Sequence, residues 1–321
     1  MYSHLRKLAP IDLMTMETRK RIETMKSTIK TLALIAMTAL LLPLGAYAAK
    51  ADKVDVIMVY NSQPTAAEKS RVKGLGAETL REFDNFDMRV IRVSENALQG
   101  LGKGKNVKFI VPDREIFSMA ATLLSSSAET SRSAAHLTAN VPSSASKNSY
   151  YDGSGVGVAI IDSGVGQHMD LGSNIRQYDF VNGAFPRPLK DGKELDSYRD
   201  DPRWDGLGHG THVAGIISGS GAASNGQYIG AAADAKLLSL RVLDGDGRGV
   251  ASDAIAALDW LLSYGRYFDI EVVNLSVGKA VEESNVADPL VLAAERVWDA
   301  GMVVVVAAGN FGRDGNMTVT S

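Results

Sequence analysis

Three short stretches carry the residue types and spacings that catalysis needs. In Val158-Ala159-Ile160-Ile161-Asp162-Ser163-Gly164-Val165 a carboxylate follows an unbroken apolar run. Such a run reads as a buried parallel strand, and open α/β sheets place their sites beyond the carboxyl ends of strands. An aspartate there serves equally as a turn or cap residue. Gly208-His209-Gly210-Thr211-His212-Val213-Ala214-Gly215 sets two imidazoles three residues apart at the start of a helix. The glycines at 208, 210 and 215 let backbone and ligand come close. His209 is the candidate general base, and His212 reads as buried or as a support for its neighbour. A metal is the competing use of a histidine pair, but no glutamate lies between the two and no third ligand is evident. Ala307-Ala308-Gly309-Asn310 follows the apolar run Met302 to Val306. The Asn310 amide suits either a turn or a hydrogen bond donated to an oxyanion.

The elements that must position these residues alternate in type from Gly153 onward. Val156–Ile161, Lys236–Val242, Val272–Leu275 and Met302–Ala308 are apolar runs of strand length, as parallel strands buried on both faces require. His209–Ser218, Ala251–Tyr264 and Asn285–Ala300 read as the intervening helices. The alternation predicts an α/β domain with a doubly wound, mostly parallel sheet over residues 151–321. Upstream, Val54–Tyr60, Met88–Val93 and Val107–Val111 read as strands, with a weak helix from Thr65 to Leu80 and a short one after Ser94. This suggests a small α+β, ferredoxin-like unit over residues 49–117. With about 60 residues and no disulfide it would be marginal alone and is better explained folded against a partner. Between the two, residues 118–150 are rich in serine, including Ser125-Ser126-Ser127, and predict an exposed, cleavable linker.

The absence of cysteine excludes disulfides, zinc–thiolate sites and a cysteine nucleophile. A net charge of −3 is too weak a field to argue for nucleic acid. The N-terminus carries an export pattern: Met25-Lys26 and Lys30 are basic, Leu32–Leu44 is apolar, and Ala46-Tyr47-Ala48 fits a small-x-small cleavage site. The apolar run, interrupted by Pro43, is too short to span a bilayer comfortably, so the mature protein is expected to hold no stable membrane span. These features predict a signal peptide at 25–48, cut after Ala48, and a secreted or periplasmic product. Residues 1–24 mix charges without periodicity and read as a spurious N-terminal extension.

In order and wording the three motifs resemble the subtilisin-like (subtilase) serine proteases. That family presents V-A-V-I-D-[ST]-G, then G-H-G-T-H-V-A-G, then A-A-G-N, then G-T-S-M-A with the nucleophile. The likeness runs from about Gly153 to Asn310. It implies a peptide-bond hydrolase working through an acyl-enzyme, in which Asp162 orients and supports the imidazole and His209 is the base. Asn310 would donate to the oxyanion, and the chain order places Ser last. It further implies that Ser276-Val277-Gly278 and Ala307-Ala308-Gly309 wall the first specificity pocket. Gly247-Arg248-Gly249 would be the edge where an extended protein or peptide substrate adds as a strand. The upstream segment resembles the family's inhibitor-type propeptide, an intramolecular partner that assists folding and then occupies the cleft; an unrelated α+β domain is the alternative. No cofactor is required for the chemistry. Calcium stabilises many members, but the loop Gly219–Gly230 departs from the usual calcium loop, so calcium stays an open structural option without assigned ligands.

The sequence departs from the family at its end. It contains no Gly-Thr-Ser, Ser163 and Ser276 belong to other motifs, and Ser321 is terminal. The expectation is therefore a C-terminally truncated catalytic domain that lacks its nucleophile, is inactive as it stands, and leaves the edge of Met302–Ala308 uncovered. A non-catalytic binding or inhibitory protein is the competing class. A nucleotide-binding protein is disfavoured, because Asp162-Ser163-Gly164-Val165-Gly166 lacks the glycine spacing of a phosphate loop.

Overall fold

The structure, a computed structural model, describes residues 52–118, 151–172, 175–186, 189–190, 193–194 and 205–309. The expected extension, signal peptide, all but the first residue of the serine-rich linker, and Asn310 lie outside these.

The first part of the chain runs β1 (Lys53–Tyr60), α1 (Ala66–Gly74), β2 (Glu78–Glu82), β3 (Met88–Ser94), α2 (Glu95–Leu101) and β4 (Val107–Pro112). Its strands form an antiparallel sheet in the order β2-β3-β1-β4, the split βαβ arrangement the sequence suggests. One element differs from expectation. The helix begun by the Thr65 cap, whose Oγ1 accepts the Glu68 N–H, stops at Gly74 instead of running to Leu80. Gly76 then turns the chain at φ +80°, and residues 78–82 become a strand. The two faces of β1 explain how so small a sheet is held. Val56, Met58 and Tyr60 pack with Val72 and Leu101 of its own helices. Ile57 and Val59 join a second core that contains Ile161, Leu240 and Trp260 from the rest of the molecule.

The second part contains β5 (Glu115–Ser118), β6 (Gly157–Asp162), β7 (Arg176–Asp179), the short hairpin β8–β9 (Leu189–Lys190, Lys193–Glu194), α3 (His209–Ser218), β10 (Lys236–Arg241), β11 (Arg248–Val250), α4 (Ala251–Tyr264), β12 (Ile270–Leu275), β13 (Val277–Gly278), α5 (Pro289–Asp299) and β14 (Val303–Val306). Five of these strands form a parallel sheet in the order β14-β12-β6-β10-β7. The chain first occupies the β10–β7 side of β6 and then crosses to β12, so the strand order reverses around β6 and its carboxyl end opens at a topological switch point. Every residue of β6 is buried.

Helix α4 is buried from Ala251 through Leu261. A helix apolar on all sides must be covered on all sides, and α4 shares one core with the parallel sheet and with the N-terminal sheet. Its two buried aspartates take partners from the N-terminal sheet: Asp253 pairs with Arg81 at 3.1 Å, and Asp259 accepts the Asp84 and Asn85 N–H groups. Helix α5 starts four residues later than expected, because Asp288 caps the Leu290 N–H and Pro289 takes the first helical position. β14 is not buried on both faces: it pairs only with β12 among the described strands, and Val303, Val305 and Val306 are 48%, 48% and 60% exposed.

Candidate active site

Asp162 closes β6, where its main-chain carbonyl accepts the Val242 and Leu243 N–H groups and fixes the exit of the strand. Its side chain is fully buried and accepts the Ser163 N–H at 2.7 Å. His209 opens α3, with Nδ1 2.8 and 2.9 Å from the two Asp162 oxygens. An Nδ1–H held by a carboxylate leaves the lone pair on Nε2, the tautomer a general base needs. Two glycines allow the helix to arrive this close. Gly208 precedes it at φ +86°, and a Cβ on Gly210 would lie 2.1 Å from the Gly164 carbonyl oxygen. Gly215, read from the sequence as another close approach, has open space where a Cβ would be. His212 is exposed rather than buried, since it lies on the outer side of this helix. Among the described residues no group of three or more His, Cys, Asp or Glu could hold a metal ion.

Asp205, which belongs to none of the three motifs, also reaches the site. Gly208 offers no side chain to cap α3, and Asp205 does so from three residues upstream. It accepts the Gly208 N–H at 2.8 Å, the Thr211 N–H at 2.7 Å and the Thr211 hydroxyl. Its Oδ1 also lies 2.7 Å from the Ser163 hydroxyl, beside the Asp162 carboxylate. Burial is the largest influence on the His209 imidazole and works against its cation. The Asp162 hydrogen bond and the charges of Asp162 and Asp205 together outweigh it, so the His209 pKa lies above its ordinary value of 6.5. Asp205→Ala is expected to cost about 1–3 kcal/mol in unfolding free energy, because four donors lose an acceptor. It also moves the His209 titration to lower pH. Urea unfolding and imidazole NMR measure the two effects separately; an unchanged titration would leave Asp205 with a structural role alone.

The residues expected to form a substrate edge lie around a segment of this same chain. β5 lies in the middle of a three-stranded antiparallel sheet, between β11 and β13. Arg248 pairs with Phe117, Gly249 with Ile116, and Val250 with Glu115 on one side. Val277 pairs with Ser118 and Gly278 with Phe117 on the other, and the Ser118 N–H donates to the Gly247 carbonyl at 2.8 Å. Gly247, Arg248, Gly249, Val277 and Gly278 thus do flank one extended segment, and it belongs to this chain. Ile116 is fully buried there. Ser276 precedes β13 and its hydroxyl donates to Asn274 Oδ1 at 2.7 Å. Ala307-Ala308-Gly309 leaves β14 beside it, with the Ala307 N–H reaching the Leu275 carbonyl at 3.3 Å. Asn310 lies outside the described residues.

A parallel sheet thus presents a buried carboxylate on its central strand to a helix-borne imidazole, and β11 and β13 flank an extended segment of the same chain. Residues 153–321 match the Subtilase family, peptidase S8, and the chain belongs to that family. It is 32% identical over 248 residues to serine protease AprX of Bacillus subtilis, covering 74% of this chain and 49% of AprX. It is 37% identical over 169 residues to the minor extracellular protease Vpr of the same organism, covering 51% of this chain and 19% of Vpr. The chain therefore spans about half the length of the first relative and a fifth of the second. The crystal structure of fervidolysin from Fervidobacterium pennivorans superposes with a TM-score of 0.57 at 18% identity, over 82% of this chain and 41% of that one, a likeness of fold.

Proposed function

We propose that the protein is a secreted serine endopeptidase that cleaves peptide bonds through an acyl-enzyme. The observation that carries this reading is the buried Asp162 carboxylate on His209 Nδ1. Asp162 holds the imidazole in one tautomer and supports its positive charge. Nε2 takes the proton of a serine hydroxyl as it attacks the substrate carbonyl, then returns it to the leaving amine. Asn310 donates to the oxyanion between those steps. The serine would come from a Gly-Thr-Ser-Met-Ala segment, a wording that residues 1–321 do not contain. The reading takes the N-terminal unit as an inhibitory propeptide that keeps β5 in the substrate edge until the linker within 118–150 is cut. Export by a signal peptide removed after Ala48 is part of the same reading, supported by the name of the extracellular relative Vpr. Among the described residues no helix is long and apolar enough to cross a membrane. The seated β5 equally suits a second reading, a non-catalytic inhibitory or binding protein.

Covalent labelling by a fluorophosphonate separates the two. A polypeptide of residues 1–321 is expected to remain unlabelled. The same chain joined to the serine-bearing segment of AprX, called here the serine-completed protein, is expected to be labelled and to lose labelling on His209→Ala. Failure of the folded, serine-completed protein to label would favour the binding reading.

A further inference from the structure

The tail that enters the substrate edge carries two charged contacts of different quality. Glu115 pairs with Arg248, but the two side chains are 54% and 66% exposed, and such pairs contribute little. Arg114 is held otherwise. Its Nε donates to Glu283 Oε1 at 2.6 Å, and its Nη1 lies 2.6 Å from Glu282 Oε2. Its carbonyl accepts the Ala251 N–H at 2.8 Å, at the first residue of α4, so its backbone is fixed as well.

The carboxylate that receives Arg114 is built in. Glu283 is 11% exposed, and its other oxygen is 3.1 Å from Lys279 Nζ. Lys279 is itself 3% exposed and lies 2.8 Å from Asp288, which also caps α5. Two carboxylates, Glu283 and Asp288, thus share one buried ammonium, and Glu282, 50% exposed, stands beside them as a third negative charge. The excess negative charge at the end of the edge has room for one more cation. That cation meets two carboxylates through two different nitrogens, which suits the planar fork of arginine and not the single point of lysine.

We propose that Glu282 and Glu283 form a guanidinium subsite for the extended peptide lying between β11 and β13. It selects arginine two residues before the apolar side chain that takes the buried place of Ile116. The inference rests on reading β5 as a segment in the substrate edge. Peptides of the pattern Arg-x-apolar are the class it favours, over their lysine and glutamine counterparts.

Hydrogen exchange on the 1–321 chain tests the subsite without catalysis. Arg114→Gln is expected to speed exchange at the Ile116–Ser118 amides roughly tenfold, the equivalent of one charge-assisted hydrogen bond. Glu282→Gln/Glu283→Gln should do the same, and the triple variant should add nothing further. Unchanged exchange, or effects that multiply, would overturn the subsite. In the serine-completed protein, arginine at that position should raise kcat/KM about tenfold over glutamine, with lysine between. That ratio should fall toward one in Glu282→Gln/Glu283→Gln and in molar salt. Hydrolysis without the preference overturns the proposal and leaves the proposed function standing. Absence of all hydrolysis counts against the proposed function, while the exchange experiment still decides the subsite.

Discussion

His209→Ala in the serine-completed protein is expected to lower kcat about a millionfold, with KM little changed. The magnitude is that of a subtilisin stripped of its histidine, a relative in this family, and is borrowed from it. The physical reason is specific to the geometry. Nε2 is the one acceptor that the Asp162 contact prepares, and without it the serine hydroxyl attacks as a neutral, weak nucleophile. Because the same site is proposed to cut the linker within 118–150, His209→Ala should also leave the precursor uncut. A purified His209→Ala precursor that still matured would assign processing to another enzyme. Steady-state rates per folded molecule and N-terminal sequencing of the product make both measurements.

Arg81→Met is expected to destabilise the unit that begins at Asp52 by about 3–5 kcal/mol, the cost of leaving a buried charge without its partner. Arg81 and Asp253 are 8% and 3% exposed. Arg81 also donates to the Ser252 carbonyl at 2.8 Å, and Asp113 from the same sheet accepts the Ser252 N–H at the start of α4. Burial, the largest influence, already raises the Asp253 pKa to about 6, with Arg81 opposing it. Removing Arg81 raises it further. Between about pH 4 and 6 the intact protein and the variant lose stability together, because both hold a proton that the unfolded chain releases; above about 6 only the variant goes on losing it, so the deficit grows as pH rises through 6 and beyond. Denaturant midpoints should show a larger deficit at pH 8 than at pH 5. Equal deficits at both would mean that Arg81 acts through packing alone.

Much of the site was legible because its chemistry is compressed into local wording. Asp162 ends a strand marked by its short apolar run, and His209 starts a helix whose bounds, like those of α4, match the sequence pattern. What stayed hidden depends on partners distant in sequence. β2 is an exposed edge strand, Glu-Thr-Leu-Arg-Glu, whose alternation is masked by polar residues on both faces. β5 has only four residues and acquires its strand form from β11 and β13. Asp205 caps a helix from outside the usual cap position, and its signal is the pairing of that carboxylate with the capless Gly208. The buried Asp253 and Asp259 on an apolar helix were the readable sign that a second layer covers α4, and only the fold supplies Arg81 and Asn85 to meet them.

Whether Asp162 holds His209 as a base can be tested without any serine, by an imidazole NMR titration of the 1–321 chain. The His209 midpoint is expected above 6.5, with Nδ1 protonated in the neutral form. Asp162→Asn should move that midpoint to lower pH, because it removes the hydrogen bond and the charge that outweigh burial. A midpoint at or below 6.5 that does not respond to Asp162→Asn would contradict the pairing and the mechanism built on it.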